Sequence, residues 1–272
     1  MPFSLILLVA AIQGLTEFLP VSSSGHLVLI PVITSHPYQS QTIDVAAHVG
    51  TLVAVLVYLR RDIFDIIAAM FGQTNNAQQA DHRRLGLMII GATIPLILIG
   101  FVVNYADWHW LTLITTLALS NIGFAGLLWA ADRFGEQLHG LEDMRWSAAM
   151  GIGLMQICAL IPGASRSGVT MTAARFFGYD RLTAARFSLL LSLPAIAGAG
   201  FLKTIDIIDA GNNQLGLDAA VVAVLSALSA WVAIRVMMSW LARANFTIFV
   251  VYRLVLGLLL LLGLQLGLIA AI

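Results

Sequence analysis

Apolar runs recur along the whole chain, broken only by short polar stretches, and this pattern restricts the fold more than any other feature. Six of them approach the length of roughly 20 residues that carries a helix across a bilayer: Ile43–Leu59, Leu85–Val103, Leu111–Ala131, Phe187–Leu202, Leu217–Ile234 and Phe246–Ile269. Charged residues make up 10% of the 272 positions and hydrophobic residues 60%. Soluble domains carry about 25% charged residues, so this chain cannot cover a water-facing surface. No stretch reads as a soluble appendage, and residues 1–272 are expected to form a single polytopic membrane domain. Formal net charge is zero, which gives no electrostatic reason to expect a nucleic acid. Met1–Ser4 lacks the basic residues of a secretory leader, so the first apolar stretch is expected to stay in the mature protein. Cys158 is the only cysteine, which excludes an intrachain disulfide and a cysteine-based metal site.

Two further apolar regions are interrupted. Phe3–Ile12 and Leu27–Ile33 flank the polar block Gln13–His26; Ala148–Met155 and Val169–Tyr179 flank the block Gln156–Gly168. Each flank is too short to cross alone, and each block contains Pro and Gly. The pattern predicts re-entrant hairpins, because irregular backbone at membrane depth is tolerated only where protein or a wet cavity surrounds it. The blocks also resemble each other. Gln13 precedes Ser22-Ser23-Ser24-Gly25 as Gln156 precedes Ser165-Arg166-Ser167-Gly168, at an offset of 143 residues. An internal repeat is expected, with one copy over about 1–131 and the other over about 147–272.

The arginines orient the chain. Arg60, Arg61, Arg83 and Arg84 mark one connection as cytoplasmic, and Arg133 and Arg145 mark another. Arg175, Arg181 and Arg186 place the mouth of the second hairpin on that side, with Arg243 joining them, whereas Asn104–Trp110 and Lys203–Gly216 fall outside. Counting back, the first hairpin opens outside, as do both termini. Hairpins entering from opposite faces are what an inverted-topology repeat produces, with the tips meeting near the midplane. Trp108 and Trp110 read as an outer aromatic belt, and Arg253, early in the last span, as snorkelling to the cytoplasmic interface.

The chemistry concentrates at the two tips. Glu17 and Arg166 are ionisable groups in apolar surroundings, where a charge costs about 3 kcal/mol on insertion scales, so a functional role is the first reading. A purely structural Glu17–Arg166 ion pair is the bland alternative. Around them lie Ser22, Ser23, Ser24, Ser165, Ser167 and Thr170. With Gly25, Gly163 and Gly168 these can form two loops whose N–H and O–H groups converge on one anion, and Arg166 can supply a forked phosphate clamp. His26 follows Gly25 and suits acid–base work or activation of a hydroxyl nucleophile. Asp44 and His48 share one face of the first span near the outer side, either orienting a catalytic group or capping the helix.

Gln13-Gly14-Leu15-Thr16-Glu17-Phe18-Leu19-Pro20-Val21-Ser22-Ser23-Ser24-Gly25-His26 resembles the first signature of the bacterial undecaprenyl-diphosphate phosphatases of the bacitracin-resistance type. Pro162-Gly163-Ala164-Ser165-Arg166-Ser167-Gly168-Val169-Thr170 resembles the second. Both motifs are long and specific, and the resemblance extends over essentially the whole chain. It implies six spanning helices plus two re-entrant hairpins in inverted repeat, in the bacterial cytoplasmic membrane, with the site facing the periplasmic side. It implies hydrolysis of undecaprenyl diphosphate to the monophosphate carrier lipid and phosphate, supporting cell-wall synthesis. Glu17, Ser23, His26 and Arg166 would be catalytic, with Gln13, Ser22, Ser24, Ser165, Ser167 and Thr170 binding substrate. A divalent cation, Mg2+ or Ca2+, would support activity with Glu17 as its ligand, and no organic cofactor is implied. The implied partners are an isoprenyl diphosphate lipid and membrane lipid, with a homodimer as a candidate assembly. This chain carries Gln13 where some members have a first glutamate, and an amide cannot act as acid or base. Two schemes stay open: attack by Ser23 with His26 as base, or attack by water activated by Glu17 directly or through a metal. The competing class is a transporter or flippase for an isoprenyl phosphate lipid, because inverted repeats with broken helices also build secondary transporters.

Overall fold

Each of the six predicted runs coincides with a helix, within residues 2–34, 41–72, 76–105, 113–209 and 216–269 that the computed structural model describes. The architecture is all-helical. The first half contains α1 (Phe3–Thr16), α2 (Ser23–Leu27), α3 (Leu29–Thr34), α4 (Gln41–Tyr58), α5 (Arg60–Phe71), α6 (Ala77–Tyr105) and α7 (Ile114–Phe134). The second contains α8 (Trp146–Gln156), α9 (Arg166–Phe176), α10 (Arg181–Asp209), α11 (Gly216–Leu241) and α12 (Thr247–Gln265). By length and apolar composition, five of these helices can cross a membrane, or six if α4 and α5, bent by 82° at Leu59, count as one span. Trp108 and Trp110 lie outside the described residues.

The helix α5 falls where the sequence predicts only a cytoplasmic connection. Its charges, Arg60, Arg61, Asp62 and Asp65, lie among apolar residues at helical spacing, so Ile66 and Ala69 are buried while Phe64, Ile67 and Phe71 are exposed. That is a two-faced surface helix, and its polar face hides it from a search for long apolar runs.

Packing exchanges the two halves. The broken segment α1 lies on α11, and the broken segment α8 lies on α6; α4 packs on α10 and α11, and α7 on α12. Without a hydrophobic drive between helices in lipid, close approach depends on small residues. A Cβ on Gly50 would come within 2.1 Å of the Ala223 carbonyl oxygen, and one on Gly153 within 2.3 Å of that of Ala92. On α1, Leu5, Ile6 and Ala10 cluster with Val222, while Gly14 abuts Ser229, so α1 and α11 run in the same direction.

One end of the bundle gathers the arginines. Arg186 pairs with Asp62, Arg181 Nε donates to Asp132 at 2.6 Å, and Arg84 Nη2 donates to the Met144 carbonyl at 2.9 Å. Arg175 is fully buried there, donating to the carbonyls of Glu136 and Gly135 at 2.7 and 2.8 Å. It therefore ties connections together instead of presenting a charge to water.

Candidate functional site

The two polar blocks fold as matched turns. Ser22 and Ser165, which correspond at the offset noted above, are the two non-glycine residues with positive φ among those described, at 69° and 67°. A left-handed backbone at a residue with a Cβ costs on the order of 1–3 kcal/mol and persists only where the surroundings enforce it. Each serine immediately precedes a helix, α2 or α9, and each shares a hydroxyl contact two residues on: Ser22 with Ser24 at 3.1 Å, Ser165 with Ser167 at 3.2 Å. Ser165 Oγ also accepts from the Gly168 amide, capping α9. Gly163, at φ +89°, makes the turn before it, and a Cβ there would also meet the Leu117 carbonyl.

What enforces these turns is Arg253, which does not snorkel to the membrane interface as its place early in the last apolar run suggests. It is fully buried. Its Nη2 donates to the carbonyls of Gly163 and Ala164, both at 2.9 Å, its Nη1 reaches the Pro20 carbonyl at 3.5 Å, and its Nε donates to Asn121 Oδ1 at 2.8 Å. Leaving a buried carbonyl without a donor costs about 1–3 kcal/mol, so one guanidinium stabilises both tips at once. Ser167 Oγ adds a direct link, donating to the Leu19 carbonyl at 2.8 Å. Neither hydropathy nor motif length marks Arg253 as the staple; its only signal is an arginine inside an apolar span.

With the tips joined, Glu17 meets Arg166 across 149 positions, Nη2 donating to Oε1 at 3.2 Å. Glu17 Oε2 accepts from Gln13 Nε2 at 2.8 Å and from Ser23 Oγ at 3.1 Å, and His48 Nε2 lies 3.8 Å away. The pair is sheltered but reachable, with side chains 8% and 13% exposed. Arg166 also reaches the Ser188 carbonyl at 3.5 Å and lies over the Phe18 ring. A carboxylate that touches both the guanidinium and a serine hydroxyl can hand its counter-ion to an incoming anion while keeping the hydroxyl.

Against the sequence expectations, the hydroxyls divide. Ser23 and Ser165 are half-buried and Ser24 is exposed, whereas Ser22, Ser167 and Thr170 are buried. The Thr170 hydroxyl is committed to Arg166 and Ser167 carbonyls and to Ser188 Oγ at 2.7 Å, so Ser167 and Thr170 brace the loops instead of lining a binding surface. Gln13, also buried, orients Glu17. His26 is not on Ser23. Its Nδ1 donates to the Ser22 carbonyl at 2.7 Å, which leaves Nε2 to accept from Tyr252 Oη at 2.5 Å. The Tyr252 ring stacks on the imidazole at 5.5 Å. The group hydrogen-bonded to the Ser23 hydroxyl is therefore Glu17. Tyr252 carries no signal in the sequence, because it sits next to Arg253 in an ordinary apolar run.

Beside the charge pair opens a cavity of about 500 Å³ lined by Asp44, His48 and Arg166 at its polar part and by Leu96, Leu160 and Ile196 elsewhere. Asp44 and His48 share a face as predicted, with His48 Nδ1 donating to the Asp44 carbonyl at 2.8 Å. The geometry is that of a polar head site opening into an apolar slot.

The family model for the bacitracin resistance protein BacA matches residues 6–259. The chain belongs to the BacA family. Curated relatives named undecaprenyl-diphosphatase span nearly all of it. The Ruegeria pomeroyi protein is 44% identical over 94% of this chain and 96% of its own length. The Erythrobacter litoralis protein is 40% identical over 94% and 98%, and that of Alcanivorax borkumensis 43% over 92% and 95%. Membership of the BacA family, together with the helices, makes this a multi-pass membrane protein.

A divalent cation can be tested against this donor set. Among the described residues no group of three His, Cys, Asp or Glu side chains could hold one. Among the described residues Glu17 is the single carboxylate touching the Ser23 hydroxyl, with His48 next to it. Mg2+ commonly binds through one or two carboxylates with substrate phosphates completing its shell. Glu17 fits a cation that arrives with a diphosphate, and does not fit a resident protein cage.

Proposed function

We propose that this chain hydrolyses undecaprenyl diphosphate to undecaprenyl phosphate and inorganic phosphate, returning the carrier lipid to cell-wall synthesis. The observation that carries this reading is the Glu17–Ser23–Arg166 contact beside an apolar cavity. A diphosphate entering from the cavity offers Arg166 phosphate oxygens in place of Glu17, and the isoprenyl tail follows the wall of Leu96, Leu160 and Ile196. Glu17 keeps the Ser23 hydroxyl. Ser23 Oγ then attacks the terminal phosphorus and its proton passes to Glu17. The bond to the bridging oxygen breaks with its electron pair leaving on the lipid monophosphate, which takes the proton back from Glu17. Water attacks the phosphoserine, Glu17 accepting one of its protons and returning it to Ser23 Oγ as inorganic phosphate leaves. Arg166 neutralises charge on the transferring group throughout, the dominant contribution in phosphoryl transfer. A cation held by Glu17 and the phosphates would add to that neutralisation.

Purified protein is expected to release phosphate from undecaprenyl diphosphate in detergent, where no second compartment exists for transport. Binding of the lipid without phosphate release would favour a flippase.

The same proposal takes α1–α3 and α8–α9 as re-entrant hairpins from opposite faces between six spans, in an inverted repeat of about 1–131 and 147–272. Both termini and the site face outward from the bacterial cytoplasmic membrane. Its support is the parallel run of α1 and α11, the exchange of contacts between halves, and the gathering of arginines at one end. Cysteine placed at Asp81 on a Cys158→Ala background is expected to react only from the cytoplasmic side. Reaction only from the outside would sink both orientation and inversion.

A further inference from the structure

The bend between α4 and α5 opens a second cavity, of about 800 Å³, away from the Glu17–Arg166 pair. From His48 to Tyr58 the axis of α4 rises ~15 Å, so the two cavities lie toward opposite ends of that helix. Arg60, Arg61, Arg186 and Arg235 line the second one, together with Tyr58 and Trp231. Its one acidic lining residue, Asp62, is taken by Arg186, whose Nε donates to Oδ2 at 3.0 Å. Arg60, Arg61 and Arg235 pair with no carboxylate among the described residues. Arg235 lies 4.7 Å over the Trp231 ring, which fixes its direction without neutralising it. Three guanidinium groups with no carboxylate partner among the described residues thus line one hollow, and like charges so placed repel unless an anion lies between them.

The rim says which kind of anion. Val57 lines the cavity at 45% exposure, and on α11 the exposed stripe Leu228, Val232 and Val236, at helical spacing, runs next to the stripe of Trp231 and Arg235 that lines it. A soluble phosphate needs no such flank, whereas a double-chain lipid needs both parts. We infer that this cavity binds the head group of an anionic glycerophospholipid, at a site separate from the hydrolytic one. The phosphodiester sits among Arg60, Arg61 and Arg235, and the acyl chains run along Leu228, Val232 and Val236. Basic pockets between spanning helices at the arginine-rich face are suited to such head groups, through the charge of the lipid and of its leaflet.

The test uses the full chain in detergent, with native mass spectrometry to measure binding of phosphatidylglycerol and of phosphatidylcholine with matched acyl chains. The wild type is expected to prefer phosphatidylglycerol by roughly 10-fold or more. Each arginine contributes about 5-fold, so Arg60→Gln, Arg61→Gln and Arg235→Gln together should lower phosphatidylglycerol affinity by roughly 100-fold. Phosphatidylcholine, whose choline already offsets the charge of the same phosphodiester, should lose roughly 10-fold or less, and phosphate release should be unchanged, reporting that the variant is folded. Should the triple variant not fold, Arg235→Gln alone is expected to give the 5-fold loss. Equal affinity for the two lipids, undiminished phosphatidylglycerol binding by the variants, or complete displacement of the lipid by millimolar inorganic phosphate would each overturn the assignment.

Discussion

Replacing Ser23 with alanine is expected to reduce phosphate release by on the order of 10⁴-fold or more, as loss of a covalent nucleophile does in hydrolases. The geometry sets this apart from the rival scheme. If water were the nucleophile and Ser23 only a ligand of phosphate, the variant would lose one neutral hydrogen bond, worth about 0.5–1.5 kcal/mol, a factor of roughly 2–13. Ser23 Oγ donates to Glu17 Oε2 at 3.1 Å, so the carboxylate is positioned to take its proton, while both nitrogens of His26 are engaged by Ser22 and Tyr252. An alcohol is a weak nucleophile without such a base. Rapid-quench capture of a phosphoserine at position 23 would complete the case. Residual activity within about 10-fold of wild type in Ser23→Ala would leave water as the attacking group. Ser24→Ala is the control: its hydroxyl touches Ser22 and not Glu17, and the expected loss stays within the hydrogen-bond range.

The apolar helices and the two turns were legible in the sequence because both rest on local signals. Long apolar runs specify helices in lipid whatever their neighbours, and a Pro-Gly break inside such a run leaves little choice but a turn. Glu17, Ser23 and Arg166 could be named because charge and hydroxyl density stand out against apolar surroundings. The assignments that changed depend on tertiary placement. A lone arginine in an apolar span can snorkel or be buried, and only the meeting of the Gly163–Ala164 turn with Pro20 decides for Arg253. Likewise, six hydroxyls in two motifs look alike in sequence. The left-handed backbone at Ser22 and Ser165 decides which face inward, burying Ser22 and Ser167 and leaving Ser23 and Ser24 accessible. His26 sits three residues from Ser23, but on the short helix α2 its ring swings back to the Ser22 carbonyl and outward to α12.

The matched turns also explain how two similar loops make one site. Ser23 and Arg166 each follow the left-handed serine of their turn and so occupy equivalent positions, one on each loop. The equivalent of Gln13 is Gln156, buried with neither amide atom hydrogen-bonded, and the equivalent of Glu17 is Leu160. One loop therefore keeps the acid and the hydroxyl, and the other supplies the cation. Neither turn alone holds both the Glu17 carboxylate and the guanidinium.

That division makes Arg166→Lys the sharpest test of the clamp. Arg166 reaches Glu17 through Nη2 and the Ser188 carbonyl through Nη1, with its plane over Phe18. The fork can turn two donors toward phosphate oxygens while the stem stays packed, which a compact ammonium cannot reproduce. Turnover of Arg166→Lys is expected to fall by at least roughly 100-fold, about 2.7 kcal/mol of transition-state stabilisation. The alternative is that Glu17 and Arg166 are only an ion pair fastening one loop to the other. A buried pair of that kind can often be exchanged for apolar residues of similar size with little loss of stability. Thermal unfolding in detergent separates the two readings. A clamp leaves Arg166→Lys close to wild type in stability while turnover collapses, because Arg253 and Ser167 still hold the tips. Near-normal phosphate release by Arg166→Lys, with or without a change in unfolding temperature, would remove Arg166 from the phosphate and return the pair to a structural role.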